Sequence, residues 1–510
     1  MDFISKELRI IVNMFFKKHV AAFLCILAIW ASFASCTRSE SENEAKQTES
    51  ATNENAPEKT TEPERENILD GVPLDLKFAG NTFTILSRSE LMFGTEMGVE
   101  EENGDIVNDA IYQRTIAIED RFGITIDVVK ILGIWGNEAS FNNTIRNSVN
   151  AGDNAYDLVA GYSVAVAPLA ADGIFTNWKK VPHINGNAPW WIQKLEDELT
   201  IDGKLYFMTG DLSQTMIGSM MVFYFNKKLQ NDYQIEDLYQ TVLDGKWTYT
   251  RLYEISKSVY RDTNGDGEKN VGDTFGLCVE PGNFTDQMFV SMGQSLAPKG
   301  ADGYPSLAIN SPGTIDRLEK INSLFNENPG VFTIPESGER PSRELFKKGE
   351  ALFTIGYMEF AENLRDMKDD FGIIPSPKYD ESQEKYLGLT QDGFSLFCIP
   401  VTNERLDYVG AVTEAMAAES YKNLTPVYYE TALKVKYSRD EVTSQMLDII
   451  HDGIYFDFGY VNTISIGGIH FLLRELVEKN NNDFVSVYEK KEASYEKALE
   501  KLINSYKDLN

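Results

Sequence analysis

The sequence predicts an α/β protein folded as two lobes. Three observations carry that expectation. Segments with strand-like alternation take turns with segments of helical periodicity, a short doubly buried strand-like run ends in glycine at Gly161, and the stretch from about residue 73 onward is too long for one compact core.

Taken in order, N-T-F-T-I-L-S (residues 81–87) has the alternation and β-branched content of a strand. Val107, Ile111, Ile118 and Phe122 then fall on one face of a helix that Gly123 stops. I-T-I-D-V-V (residues 124–129) is a second strand, with Ile124, Ile126 and Val128 facing one way. A-Y-D-L-V-A-G (residues 155–161) reads as a short strand buried on both faces. Further on, R-L-Y-E-I-S-K-S-V-Y (residues 251–260) is helical and T-F-G-L-C-V (residues 274–279) is a strand. Strand–helix–strand order at this spacing implies largely parallel sheets, whose ligands bind beyond the C-terminal ends of the strands. No internal repeat is visible.

The first 35 residues read as an address. Lys17 and Lys18 precede the apolar run V-A-A-F-L-C-I-L-A-I-W (residues 20–30), too short for the roughly 20 residues a bilayer span needs. A basic start, a short apolar run and small residues make a secretory signal. Cys36, directly after Ala-Ser, resembles a bacterial lipobox cysteine and is expected to be lipidated, with Phe33 in place of the usual leucine. Met14 is the expected start, and an uncleaved membrane anchor is the competing reading. Residues 36–69 are rich in Ser, Thr, Glu, Asn and Pro and are expected to form a disordered tether.

The chain carries 48 Lys and Arg against 78 Asp and Glu, a net charge of −30. Such acidity argues against a nucleic-acid partner, which demands a positive footprint. Beyond Cys25 and Cys36 the cysteines are Cys278 and Cys398, each inside an apolar run. Buried free thiols are expected, with a single disulfide as the alternative.

A co-linear set of phrases resembles the group 1 extracellular solute-binding proteins of ABC importers, which include the maltose-binding proteins. They are R-F-G-I-T-I-D-V, Y-D-L-V-A-G-Y-S, A-D-G-I-F-T-N-W (residues 171–178), I-D-G-K-L-Y-F-M-T-G-D (residues 201–211) and F-Y-F-N-K-K-L (residues 223–229). G-K-W-T-Y-T-R-L (residues 245–252), F-K-K-G-E-A-L-F-T-I-G-Y-M (residues 346–358) and D-F-G-I-I-P-S-P-K (residues 370–378) continue the series. The resemblance runs from about residue 78 to 460 and implies a two-lobed, periplasmic-binding-protein-like (type II) fold with a strand hinge. By this likeness the chain crosses between lobes near 209–214 and returns near 389–394. Residues 70–210 and 390–445 would form lobe 1, and residues 211–389 and 446–510 lobe 2. It further implies a monomeric, non-enzymatic protein on the extracellular face of the membrane, held by its lipid. Its ligand would be a small solute, above all an oligosaccharide, and its partner an ABC permease.

D-T-N-G-D-G-E-K-N-V-G-D (residues 262–273) places oxygen-bearing side chains at loop positions 1, 3, 5, 9 and 12, with glycine at 6. That spacing suits a calcium loop. Asp262, Asn264, Asp266, Asn270 and Asp273 would bind by side chain and Glu268 by its carbonyl. The loop is followed by a strand where a calcium sensor has a second helix, so a structural calcium is expected. A metal-free acidic turn is the competing reading.

For the cleft, position in the chain nominates Tyr162 and Ser163 after one strand and Arg88 and Glu90 after the first. Asp211 and Ser213 lie at the hinge crossing, and Tyr357, Met358 and Phe360 follow A-L-F-T-I-G. The resemblance implies a sugar-stacking aromatic near this last spot, with Tyr357 and Phe360 both candidates. Trp190 and Trp191 of P-W-W are expected in the core, with a stacking platform for ligand as the competing reading, and Trp247 is expected in the core. Catalytic motifs are missing: there is no G-x-S-x-G, H-E-x-x-H, P-loop or G-x-G-x-x-G, and His19, His183, His451 and His470 are scattered. Two carboxylates suffice for a glycosidase, so a secreted carbohydrate-active enzyme is the first alternative. A non-transport receptor lipoprotein is the second.

Overall fold

The computed structural model describes residues 65–90, 92–335, 340–429 and 441–509. The expected signal segment, Cys36 and the tether as far as residue 64 lie outside the described residues. Among the described residues no helix is long and apolar enough to cross a membrane.

The described strands form one sheet of four strands and one of five. In the first, β1 (Thr82–Arg88) lies parallel to β2 (Thr125–Ile131) and to β3 (Leu158–Tyr162), while β9 (Ser395–Cys398) runs antiparallel to β3. In the second, β5 (Phe275–Val279) is parallel to β6 (Val331–Thr333) and β7 (Ala351–Tyr357). There β4 (Met221–Asn226) runs antiparallel to both β7 and β8 (Phe371–Ile374). The sheets are therefore mixed rather than largely parallel. The reversals come at β4 and β9, the strands with which the chain enters a lobe from the other one.

Local chemistry explains the element boundaries. The helix Ile106–Phe122 starts at Asp105, whose carboxylate accepts from the N–H groups of Val107 at 3.1 Å and Asn108 at 3.0 Å. Such a cap contributes about 1 kcal/mol. It ends at Gly123, where φ is 70°, a left-handed value that glycine adopts without a Cβ penalty. β3 is buried along its whole length, as its unbroken apolar run requires.

Two backbone runs carry the chain between lobes side by side. Met208 bridges to Phe397 in the first lobe and Met220 to Thr390 near the second. Between them the N–H of Gln391 donates to the carbonyl of Ser219 at 2.8 Å. Gly210 pairs so closely with the Trp190–Trp191 backbone that a Cβ there would lie 1.9 Å from the Trp190 carbonyl oxygen. The C-terminal stretch, expected in lobe 2, runs over both lobes. The helix Ile469–Glu478 packs on Pro281–Ser291 of lobe 2, whereas Glu492–Asp508 packs on Ser163–Ala171 of lobe 1. There the rings of Tyr206 and Tyr506 meet edge-on at 5.4 Å, and Lys204 Nζ donates to the Tyr506 carbonyl at 2.9 Å.

Trp190, Trp191 and Trp247 are core residues. The indole N–H groups of Trp190 and Trp191 donate to the two carboxylate oxygens of Glu414, at 3.1 and 2.8 Å, which removes them from any stacking platform. Cys278 and Cys398 are buried free thiols, one in each sheet.

Candidate functional site

A cavity of about 490 Å³ lies where the strand ends of the two lobes face each other. Lobe 1 supplies Phe93 after β1, Trp135 after β2 and Tyr162 at the end of β3. Lobe 2 supplies Asn283 after β5, Tyr357 at the end of β7, and Glu359 just beyond. Ser219 and Gln391 of the crossing runs form the floor. The volume suits a drug-sized ligand, and the place is where open α/β sheets bind one.

Of the expected ligand contacts, the structure places Tyr162 and Tyr357 on the wall of this cavity. Tyr162 Oη donates to Asp392 Oδ1 at 3.3 Å, and burial pushes its phenol pKa well up, so the hydroxyl stays protonated. Tyr357 is partly exposed, and its hydroxyl accepts from Asn283 Nδ2 at 3.2 Å. The Arg343 guanidinium lies 5.0 Å from its ring centre. Burial raises the Glu359 pKa, and the charge of Arg343 opposes that shift.

The other expected contacts serve the frame around the cavity. Arg88 is fully buried, donating to the carbonyl of Gly393 and to Ser395 Oγ at 2.7 Å, with Phe93 stacked 3.8 Å from its guanidinium. Glu90 is turned back on its own lobe, where its carboxylate accepts from Gly133 N at 2.8 Å and Ile134 N at 3.2 Å. Ser163 donates to the carbonyl of Asp392 and lines a small chamber beside the cleft. Ser213 is buried, donating to Glu96 Oε1 at 2.8 Å and capping the turn at Met216. Met358 is packed away and its N–H donates to Met220 O at 2.8 Å. Phe360 is 2% exposed beneath the cleft, edge-on to Tyr224 at 5.3 Å. Asp211 lines a different cavity, with Tyr421, Tyr429 and His451. Burial pushes its pKa up to about 7. These positions mislead because a hinge needs polar and aromatic residues for its own support.

Two important residues escape the sequence reading. Trp135 is 63% exposed at the cleft mouth, and its ring meets that of Phe471 edge-on at 6.1 Å. The L-G-I-W-G turn after β2 was its signal, since a tryptophan between glycines beyond a strand end is poorly placed for a core. Glu96 is fully buried and accepts from Ser213 Oγ, Thr215 N at 3.0 Å, Thr215 Oγ1 at 2.6 Å and Ser395 Oγ. It thereby joins lobe 1 to both crossing runs. Nothing in F-G-T-E-M distinguishes it from an ordinary helix glutamate.

The acidic loop closes on its own amides. Asp262 accepts from Gly265 N at 2.7 Å and Gly267 N at 3.0 Å, and Asp273 Oδ1 accepts from Thr263 N at 3.1 Å. Asn270 Nδ2 donates to Asp266 Oδ2 at 2.7 Å, Asn264 Nδ2 donates to Asn270 Oδ1 at 2.8 Å, and the Glu268 N–H donates to Asp266 Oδ1 at 2.8 Å. Among the described residues no group of three or more His, Cys, Asp or Glu is placed to hold a metal.

Neither a protein-family model nor a curated protein matches this chain. Solved structures do. A cyclo/maltodextrin-binding protein complexed with maltotetraose superposes with a TM-score of 0.53 at 15% identity, covering 84% of this chain and 96% of its own. The maltose/maltodextrin-binding domain MalE of Bdellovibrio bacteriovorus, bound to maltotriose, gives 0.50 at 18% identity over 83% of this chain and 100% of its own. UgpB of Mycobacterium tuberculosis, in complex with glycerophosphocholine, gives 0.52 at 14% identity over 78% and 95%. Identities this low speak to architecture. The chain has the two-lobed α/β fold of the maltodextrin-binding type of ABC solute-binding protein.

Proposed function

We propose that the protein is a lipid-anchored solute-binding protein that captures a short oligosaccharide between its lobes and delivers it to an ABC permease. The observation that carries this reading is one cavity lined by aromatic rings from both lobes, Trp135 and Tyr162 opposite Tyr357, among amide and carboxylate groups. Aromatic faces cover the apolar faces of a sugar, and the polar groups pair with its hydroxyls. Two of the proteins it resembles in fold are described with maltotetraose and maltotriose bound. Binding works by population shift: a ligand touching both lobes favours the closed arrangement, which the permease then reads.

A screen of sugars, peptides and other small solutes by thermal shift tests this directly. A true ligand at a hundredfold excess over its Kd stabilises by about 2.7 kcal/mol. Small-angle scattering is then expected to show a smaller radius of gyration with ligand. If no solute stabilises or compacts the protein while some glycan is cleaved by it, the enzyme alternative takes over.

The anchor belongs to the same proposal. Cys36→Ser is expected to leave the precursor unprocessed or to release the protein from membranes, since stable anchoring rests on the acyl chains that cysteine carries. Unchanged processing and fractionation would remove the lipid from the account.

Calcium in the loop at residues 262–273 is proposed on its oxygen spacing and on Gly267 at position six, where φ is 78°. The ion would displace the side-chain amides of Asn264 and Asn270 from their neighbours. Calcium is expected to raise the melting temperature and excess chelator to lower it, with ligand affinity changing less. Identical melting curves in both would leave a metal-free turn.

A further inference from the structure

We infer that the cleft is flanked by a small side chamber that takes one uncharged hydroxyl group from the end of the ligand, an inference resting on the oligosaccharide reading above. The chamber measures about 40 Å³ and is walled by Asn283, Asp286, Asp392, Tyr460, His470 and Arg474 among others. A water-sized group needs roughly 10–15 Å³ on this measure, so the space takes very few heavy atoms and no sugar ring. Asn283 lines both this chamber and the main cavity, and it donates to the hydroxyl of Tyr357. The chamber therefore lies next to the aromatic wall, with Asn283 between the two spaces.

The charged groups in the chamber, three carboxylates and one guanidinium, already hold partners. Arg474 Nε donates to Asp286 Oδ2 at 2.8 Å, and Asp392 accepts from Tyr162 Oη. Asp457, at the far side, accepts from Leu296 N and Ala297 N, both at 3.1 Å. An anion would meet these carboxylates and a cation would meet Arg474. Two polar atoms on uncharged side chains there lack a partner. His470 is 3% exposed, its Nδ1 pairs with Thr463 Oγ1, and its Nε2 has no partner. The buried hydroxyl of Tyr460 has none either, and the two rings lie 6.1 Å apart. Burial keeps His470 neutral, so each ring nitrogen is a donor or an acceptor according to tautomer. A hydroxyl both donates and accepts, and one such group satisfies both atoms. Leaving them unmade costs more than a hydrogen bond usually returns.

The His470 and Tyr460 groups come from the C-terminal stretch that runs over both lobes. That stretch thus flanks the cleft and sets which ligand terminus fits.

The test uses the mature protein, gluco-oligosaccharides of increasing length, and analogues of the tightest binder lacking one hydroxyl each. Tyr460→Phe removes a single oxygen and is expected to weaken the intact sugar about tenfold while leaving one terminal deoxy analogue bound as before. The melting temperature of the ligand-free protein should not fall and is expected to rise, because the hydroxyl removed has no partner there. If Tyr460→Phe alters every analogue equally, or none, the chamber does not receive the ligand. A lower melting temperature without ligand and an unchanged affinity would assign the site to a structural water and overturn the inference. Should no sugar bind the wild type, the cleft reading fails and the chamber with it.

Discussion

Glu96→Ala is expected to cost about 3–5 kcal/mol of stability, as loss of one partner from a buried charged network does. The side chain is fully buried at the hinge, and its oxygens take hydrogen bonds from Ser213, Thr215 and Ser395. Its backbone carbonyl accepts from Arg114 Nη2 at 2.9 Å. Arg88 and Arg114 are both buried, and desolvation lowers each pKa to about 10 against the opposing pull of Glu96. Alanine would leave two guanidinium groups without their nearest carboxylate and several hydroxyls without an acceptor. With a total stability of ordinarily 5–15 kcal/mol, such a loss shows as a large fall in melting temperature or failure to accumulate. Glu96→Gln keeps the shape and one acceptor, so it should fall between wild type and Glu96→Ala. Urea denaturation of the three proteins measures the order. A Glu96→Ala protein as stable as wild type would show that backbone pairing alone holds the hinge.

The elements of the fold were legible because they rest on local chemistry. Asp105 caps a helix, Gly123 ends it, and the alternation of residues 81–87 places Phe83 and Ile85 inward. Strand direction was less legible, since an antiparallel β4 or β9 differs from a parallel strand only in where the chain has just been. The cleft was half legible. Tyr162 and Tyr357 end their strands, and strand ends are where ligands sit. Arg88 and Phe360 sit within a few residues of such ends too, and Ser213 lies at the crossing between lobes, but they face the hinge or the core. Which way a side chain faces there depends on partners hundreds of positions away, as Arg88 does on Ser395. His470 and Tyr460 lie at or beyond the end of the stretch that carries the family likeness, so no likeness pointed to them.

The two aromatic candidates after A-L-F-T-I-G should separate by opposite signatures. Phe360 packs edge-on against Tyr224 and lies under the Arg343 guanidinium, 4.9 Å from its ring centre. Phe360→Ala would leave a cavity in lobe 2 and cost about 3–5 kcal/mol of stability. Tyr357 is partly exposed to the cleft, and its ring touches Phe284 at 5.5 Å. Tyr357→Ala would remove the stacking face and cost roughly 2 kcal/mol or more of binding, about thirtyfold in Kd. Its effect on folding should be much smaller, because that face is solvated when no ligand is present. Tyr357→Phe keeps the ring and loses the bond from Asn283, so only about 1 kcal/mol of binding should go. Isothermal titration with the best sugar, beside urea denaturation of each variant, gives both quantities on the same samples. The assignment fails if Tyr357→Ala binds like wild type while a folded Phe360→Ala protein loses the ligand. In that case the sugar would have to enter beneath β7, and the lobe 2 wall of the cleft would have to move to admit it.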